Sequence, residues 1–224
     1  MLDKEQRDSI AALIRREVIP AIGCTEPIAV ALCVAKATET LGTLPETIDV
    51  KLSGNMLKNA MGVGIPGTGM SGLPIAIALG ALVGKSEYQL EVLRDSTPND
   101  VEKGKIYIAE NRINISLKEN IEEKLYIEVI VKAGDDTATA VISGGHTHFV
   151  SIVRNEEVLL SSKLENSNAE QEKEEKLNLR IVYEFATTSP IEEIRFINEA
   201  RKLNEEASQK ALEGNYGHEL GKTL

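Results

Sequence analysis

One segment limits the folds open to this chain more than any other. After Gly23-Cys24-Thr25-Glu26-Pro27, the run Ile28-Ala29-Val30-Ala31-Leu32-Cys33-Val34-Ala35 is apolar on nearly every side of a helix. A helix without a polar face has no side to show to water, so this one must lie deep in a folded body. Thr25 or Glu26 is expected to cap its free N–H groups, and Pro27 suits a first turn. A second apolar helix is expected over Leu73–Val83, inside a stretch from Asn59 to Gly84 that carries no formal charge. Gly62, Gly64, Gly67, Gly69 and Gly72, with Pro66 and Pro74, interrupt that stretch. What remains continuous is about half the roughly 20 apolar residues of a bilayer span, so it reads as a buried core helix.

The rest of the chain follows from periodicity. Residues 3–18 read as an amphipathic helix with Ile10, Leu13, Ile14 and Val18 on one face, ended by Pro20 and Gly23. Thr47–Ser53 alternates as a strand does, and Met56–Met61 reads as a short helix. Beyond Lys105 the period changes from helical to twofold. Lys105–Ile108, Ile113–Leu117, Leu125–Val129 and Thr139–Ile142 all alternate, with turns at Glu119-Asn120 and Gly134-Asp135-Asp136. The expected fold is α+β, with helices at both ends around a central antiparallel β-meander.

Three regions are expected: a helix-rich part over 1–100, an antiparallel sheet over 101–162, and a charged linker with C-terminal helices over 163–224, the whole forming one compact domain. The polar run Ser161–Lys176 supplies the linker, and a helix is expected from about Leu177. Ser189-Pro190-Ile191-Glu192 spells a helix start, with Ser189 as cap and Glu192 closing a capping box. That last helix is expected to stop at Gly214-Asn215.

Charge excludes one class of function. The 25 Lys and Arg against 35 Asp and Glu leave a net −10, with no basic run beside aromatics. Nucleic-acid binding needs clustered cations to displace phosphate counterions, so no nucleic-acid partner is expected. Two cysteines make no disulfide framework, and the charged Met1–Arg7 lacks the apolar core of a signal peptide. The expected location is cytoplasmic, with no membrane partner.

Chemistry points to three turns, each launching a helix: Gly23–Pro27, Ser53-Gly54-Asn55-Met56-Leu57-Lys58, and Gly67-Thr68-Gly69-Met70-Ser71-Gly72. Helix starts present unpaired N–H groups and partial positive charge, and together they suit a carboxylate and a second anion. Cys24 beside such a start is expected to lean toward thiolate, the metal-binding and nucleophilic form. Cys33, inside the apolar helix, reads as structural. Gly62–Gly67 and Gly67–Gly72 both spell a dinucleotide fingerprint, which has meaning only between a strand and a helix. Gly144-Gly145-His146-Thr147-His148 adds a candidate proton carrier in His146, the alternative being a turn histidine bonded to backbone. Lys58 is either a base, a carboxylate partner or a solvated lysine. Asn204, Asn215, Tyr216 and His218 are polar residues within possible reach of a site, with nothing in the sequence to place them there.

Taken in order, Pro20–Pro27, Ser53–Asn59, Ile65-Pro66-Gly67-Thr68-Gly69 and Gly145-His146-Thr147 resemble the L-cysteine desulfidase family. That family is related to the catalytic α region of iron–sulphur L-serine dehydratases, and the likeness extends to Asn215-Tyr216-Gly217. The resemblance implies a lyase that uses no pyridoxal phosphate and carries a [4Fe–4S] cluster, with Cys24 among the metal ligands. It implies β-elimination from L-cysteine, giving sulphide, ammonia and pyruvate, or from L-serine, giving ammonia and pyruvate. In such chemistry an iron without a protein ligand acts as Lewis acid on the leaving atom. Ser53, Gly54, Asn55, Thr68, Gly69 and Thr147 match the substrate-binding segments, and His146 and Lys58 are the candidates for proton transfer. Members that bear a cluster are longer, with further cysteines in a C-terminal half. Without those cysteines the chain as given is expected to hold no intact cluster. The implied partners are a small amino acid and a C-terminal region or second subunit with more cysteines, and a homodimer is a further possibility. The runner-up is a non-catalytic subunit that binds an amino acid or phosphate.

Overall fold

Helix α2 (Thr25–Leu41) has the burial that its composition requires, with every residue from Ile28 to Ala35 no more than 1% exposed. Two neighbours enclose it. Strands β5 (Tyr126–Ala133) and β6 (Asp136–Ser143) receive one side, where the Cys33 Sγ lies 3.3 Å from the Ala140 carbonyl oxygen. Helix α4 (Leu73–Leu82) receives another, and there the backbones nearly touch. A Cβ placed on Gly80 would fall 2.6 Å from the Ala31 carbonyl oxygen, so only glycine permits this approach. Helix α5 (Pro98–Ala109) packs on α4 with Gly104 against the side chains of Ile75 and Leu79.

The computed structural model describes residues 2–162, 177–214 and 219–224. These fall into two units, Ala21–Asn166 and Met1–Pro20 with Ser167–Leu224. The larger unit is built on a six-stranded sheet ordered β4-β1-β5-β6-β7-β8, where β1 is Thr47–Leu52, β4 Ile113–Leu117, β7 Phe149–Arg154 and β8 Glu157–Ser161. Ile48, Val50, Leu52, Ile127, Val129, Val131, Ala140 and Ile142 join the helices in one core. The fold class is α+β, with helices at both ends of the chain, as expected.

Strands β5 to β8 form the expected antiparallel meander, but the sheet is mixed. Strand β1 lies between β4 and β5, parallel to the first and antiparallel to the second. The cause is the connection from β1 to β4, which contains α3 (Gly54–Ala60), α4 and α5 and returns the chain in its original direction. A further correction concerns Lys105–Ile108, which is the last part of α5 and no strand. Thr97 and Asp100 form a reciprocal capping box with Pro98 in the first turn, and that start signal outweighs a short alternation. Tyr107 then anchors the helix by donating its hydroxyl to the Pro45 carbonyl at 2.6 Å.

The smaller unit holds α1 (Lys4–Glu17), α6 (Leu179–Thr188), α7 (Ile191–Ile194), α8 (Asn198–Glu213) and α9 (Leu220–Thr223). Its buried apolar residues are Leu2, Ile10, Ala11 and Phe185, and Arg7 reaches both oxygens of Glu193 at 2.8 and 3.3 Å. Residues 2–20 therefore group with the C-terminal helices, a division different from boundaries at 100 and 162. Ser189 does not cap the following helix. Its N–H is taken by the Phe185 carbonyl of α6, its hydroxyl has no partner among the described residues, and Asn178 caps α6 instead. The expected linker lies outside the described residues from 163 to 176, and Ser161 ends β8.

On the sheet face away from the helices, Glu128 accepts from Lys118 at 2.6 Å, the Tyr126 hydroxyl at 2.7 Å and Lys51 at 3.2 Å. Burial pushes this carboxyl up, but the three donors outweigh it and hold the group below its ordinary range. A lowered carboxyl stabilises the fold above its unfolded pKa, and that contribution disappears as pH falls through the folded value. Glu128→Gln should thus cost about 1–2 kcal/mol in urea melts near pH 7, with the difference shrinking toward pH 3. Gly80→Ala should cost about 1–3 kcal/mol by forcing α2 and α4 apart. Gly62→Ala, which meets open space, should stay within about 0.5 kcal/mol in the same melts.

Candidate functional site

Glu26 is the only formally charged residue between Glu17 and Lys36, and it lies in the first turn of α2, partly exposed, just before the buried apolar run. Hydrogen bonds converge on it. The Cys24 thiol donates to its Oε2 at 2.9 Å and the Thr25 hydroxyl to the same oxygen at 3.3 Å. Asn59 Nδ2, from α3, donates to Oε1 at 3.4 Å. The bond from Cys24, working against burial, holds the Glu26 carboxyl below its ordinary range, and His146 adds to this from the turn between β6 and β7.

Cys24 corrects an expectation. It is the N-cap residue of α2 and half-buried, but its thiol is pushed up, first by burial and then by the Glu26 carboxylate. The positive end of the helix favours thiolate, yet desolvation and a neighbouring negative charge both oppose it. In this chain Cys24 is a protonated thiol resting on a carboxylate. No side chain caps α2, so neither Thr25 nor Glu26 plays that part. Cys33 is fully buried, its thiol raised by the same desolvation, in keeping with a structural role.

The other turns are placed around this point. Gly23, at φ +82°, lies so close to the Pro66 ring that an added Cβ would stand 2.8 Å from its Cγ. The glycine loop thereby abuts the residue just before Cys24. Asn55 sits four residues before Asn59 on α3, hence on the helix face turned toward Glu26, and its side chain is exposed. Lys58, one residue from Asn59, is exposed on an adjoining face. Gly54 is exposed at the start of α3, and Thr147 is half-buried beside His146.

Two expected substrate ligands have their hydroxyls engaged elsewhere. Ser53 donates to the Lys124 carbonyl at 2.6 Å and accepts from the Met56 N–H at 3.4 Å, capping α3. Thr68 donates to the Ile65 carbonyl at 2.7 Å and accepts from the Met70 N–H at 3.0 Å. Both shape turns. Gly67 and Gly69, with φ of +76° and +64°, let the second turn close. Strands β2 (Gly64–Ile65) and β3 (Met70–Ser71) pair only with each other, so no strand of the main sheet feeds the glycine loop and the dinucleotide fingerprint has no βαβ context.

Sequence reasoning missed Glu26 as a functional group and gave Asn59 no role. The isolation of Glu26 in an apolar stretch was the available signal. Asn204 is turned onto its own helix, donating to the Ala200 carbonyl, and Asn215, Tyr216 and His218 lie outside the described residues. Among the described residues no group of three or more His, Cys, Asp and Glu is arranged to hold a metal ion, and no helix is long and apolar enough to cross a membrane. Iodoacetamide should label Cys24 and spare Cys33. The labelling rate should rise only at pH above the ordinary thiol range, and Glu26→Gln should move that rise to lower pH, as read by mass spectrometry.

No family model matches the chain, and no solved structure matches it. Curated relatives do. A UPF0597 protein of Phocaeicola vulgatus is 65% identical over 224 residues, covering 100% of this chain and 52% of the relative. UPF0597 protein BF3560 of Bacteroides fragilis is 64% identical over 223 residues, again 52% of its length. UPF0597 protein PBPRB0240 of Photobacterium profundum is 41% identical over 215 residues, covering 95% of this chain and 50% of its own. The chain spans about half the length of the curated relatives it matches.

Proposed function

We propose that this chain is the amino-acid-handling part of a lyase, independent of pyridoxal phosphate, that eliminates the β-substituent of L-cysteine or L-serine. One observation carries the reading: three other segments meet the Gly23–Pro27 turn that carries the Glu26 carboxylate. Cys24 and Asn59 bond to it, His146 acts on it through charge, and Gly23 brings in the Pro66 loop. These are the segments through which the chain resembles L-cysteine desulfidases.

In the elimination a base takes the α-proton, a Cα–Cβ double bond forms, and the Cβ–S or Cβ–O bond breaks with its electrons on the leaving atom. The aminoacrylate that remains tautomerises and takes up water, giving pyruvate and ammonia, with sulphide released from cysteine. His146 is the group suited to move the α-proton, and the Glu26 carboxylate, held ionised below its ordinary range, serves to position the groups around it. Asn55 and Lys58, exposed on α3, are suited to hold the carboxylate. Ser53 and Thr68 fix the turns that carry Gly54 and Gly69, and Thr147 adjoins His146.

A [4Fe–4S] cubane is bound by several thiolates. Here Cys24 is reachable and Cys33 is sealed in the core, so the described residues do not fit an intact cluster. Its further ligands then belong to a C-terminal region or second subunit. The test is anaerobic release of pyruvate from L-cysteine and L-serine by this chain joined to the remaining half of its relatives. The joined protein should turn over one of them, with His146→Ala and Glu26→Gln each lowering kcat on the order of 10²-fold or more. Unchanged turnover in both variants, or none in the joined protein with either amino acid, would contradict the proposal.

A further inference from the structure

The helices of the smaller unit bury too little to stand alone. Their core contains Leu2, Ile10, Ala11 and Phe185, and none of the sixteen residues of α8 is buried. Most of a helix's stability in a protein comes from a packed amphipathic face. Yet α8 has an apolar row, with Ala200, Leu203, Ala207 and Ala211 at successive spacings of three, four and four, and Leu203 is 46% exposed. Leu212, at 50%, widens the row. Helix α6 is apolar on two sides. Ile181 and Phe185 face the small core, while Leu179, Val182 and Tyr183 are exposed at 86%, 48% and 69%. Apolar rows left exposed on two helices of one small unit mark faces that another body covers.

We infer that α6 and α8 form the docking surface for the polypeptide that makes up the other half of the relatives' length. The argument is one of length. All 224 residues align with a relative of which they are 52%, so in that protein these helices share the chain with about as many residues again. The occupant is therefore a polypeptide presenting an apolar face of its own, and the inference holds whether or not the lyase reading does.

Hydrogen–deuterium exchange of this chain and of the intact Phocaeicola vulgatus relative tests it. Amides of α8 and of the outer face of α6 should exchange at least about tenfold more slowly in the intact relative. Joining this chain to the relative's other half should restore that slow exchange, and Leu203→Glu with Leu212→Glu should abolish the restoration. Ile106→Glu, at an equally exposed site on α5, should leave it intact. Equal exchange in the chain and the intact relative would overturn the inference. So would protection in the chain alone that rises with concentration, with a sedimenting dimer lost in the Leu203→Glu variant, because the occupant would then be a second copy.

Discussion

The approach of α2 to α4 at Gly80 is the constraint on which the rest of the larger unit depends. With the Ala31 carbonyl only 2.6 Å from where a Cβ would sit, the two backbones are as near as helices pack. That proximity lets a helix of small and medium residues be enclosed without voids. Because α2 is covered by β5 and β6 elsewhere along its surface, its position is fixed by backbone contact and its N-terminus cannot wander. The site follows from that rigidity. Glu26 stands at the N-terminal end of α2, ahead of its buried run, and α3, which supplies Asn59, is anchored in the same core.

The electrostatics of the site run against a simple helix-terminus picture. A helix start offers partial positive charge to whatever lies there, and a cysteine at that place would ordinarily be drawn toward thiolate. Glu26 reverses the balance by placing a formal negative charge within hydrogen-bond distance of the same sulphur. The proton stays on sulphur, held there first by burial and then by the carboxylate, and the bond from that thiol helps hold the carboxylate ionised. Both shifts run away from neutrality, so the pair is a fixed hydrogen-bonded anchor at the helix start and not a proton relay.

Much of this was legible in the residues. The all-round apolar run from Ile28 to Ala35 announced α2, and the uncharged stretch around Leu73 announced α4, while the β2–β3 pairing inside its glycine loop was not announced. The meander from Tyr126 onward showed in its alternation. What was not legible has definite causes. Ile106-Tyr107-Ile108 alternates over three residues, too few to outweigh a helix start nine residues earlier. The place of β1 beside β4 depends on a crossover of three helices, and no local pattern encodes a long-range pairing. Ser53 and Thr68 looked like ligands because their turns are polar, yet their hydroxyls close those turns. Glu26 looked like a cap because capping is the common use of an acid at a helix start.

The central claim is that the Glu26 carboxylate is the point where Cys24 and its companions meet, and it can be read from one titration. Carbon-13 NMR of the Glu26 side chain should show it ionising below the ordinary glutamate range, with Cys24→Ala shifting that midpoint back upward. A Glu26 that titrates as an ordinary glutamate, indifferent to loss of the Cys24 sulphur, would contradict the account.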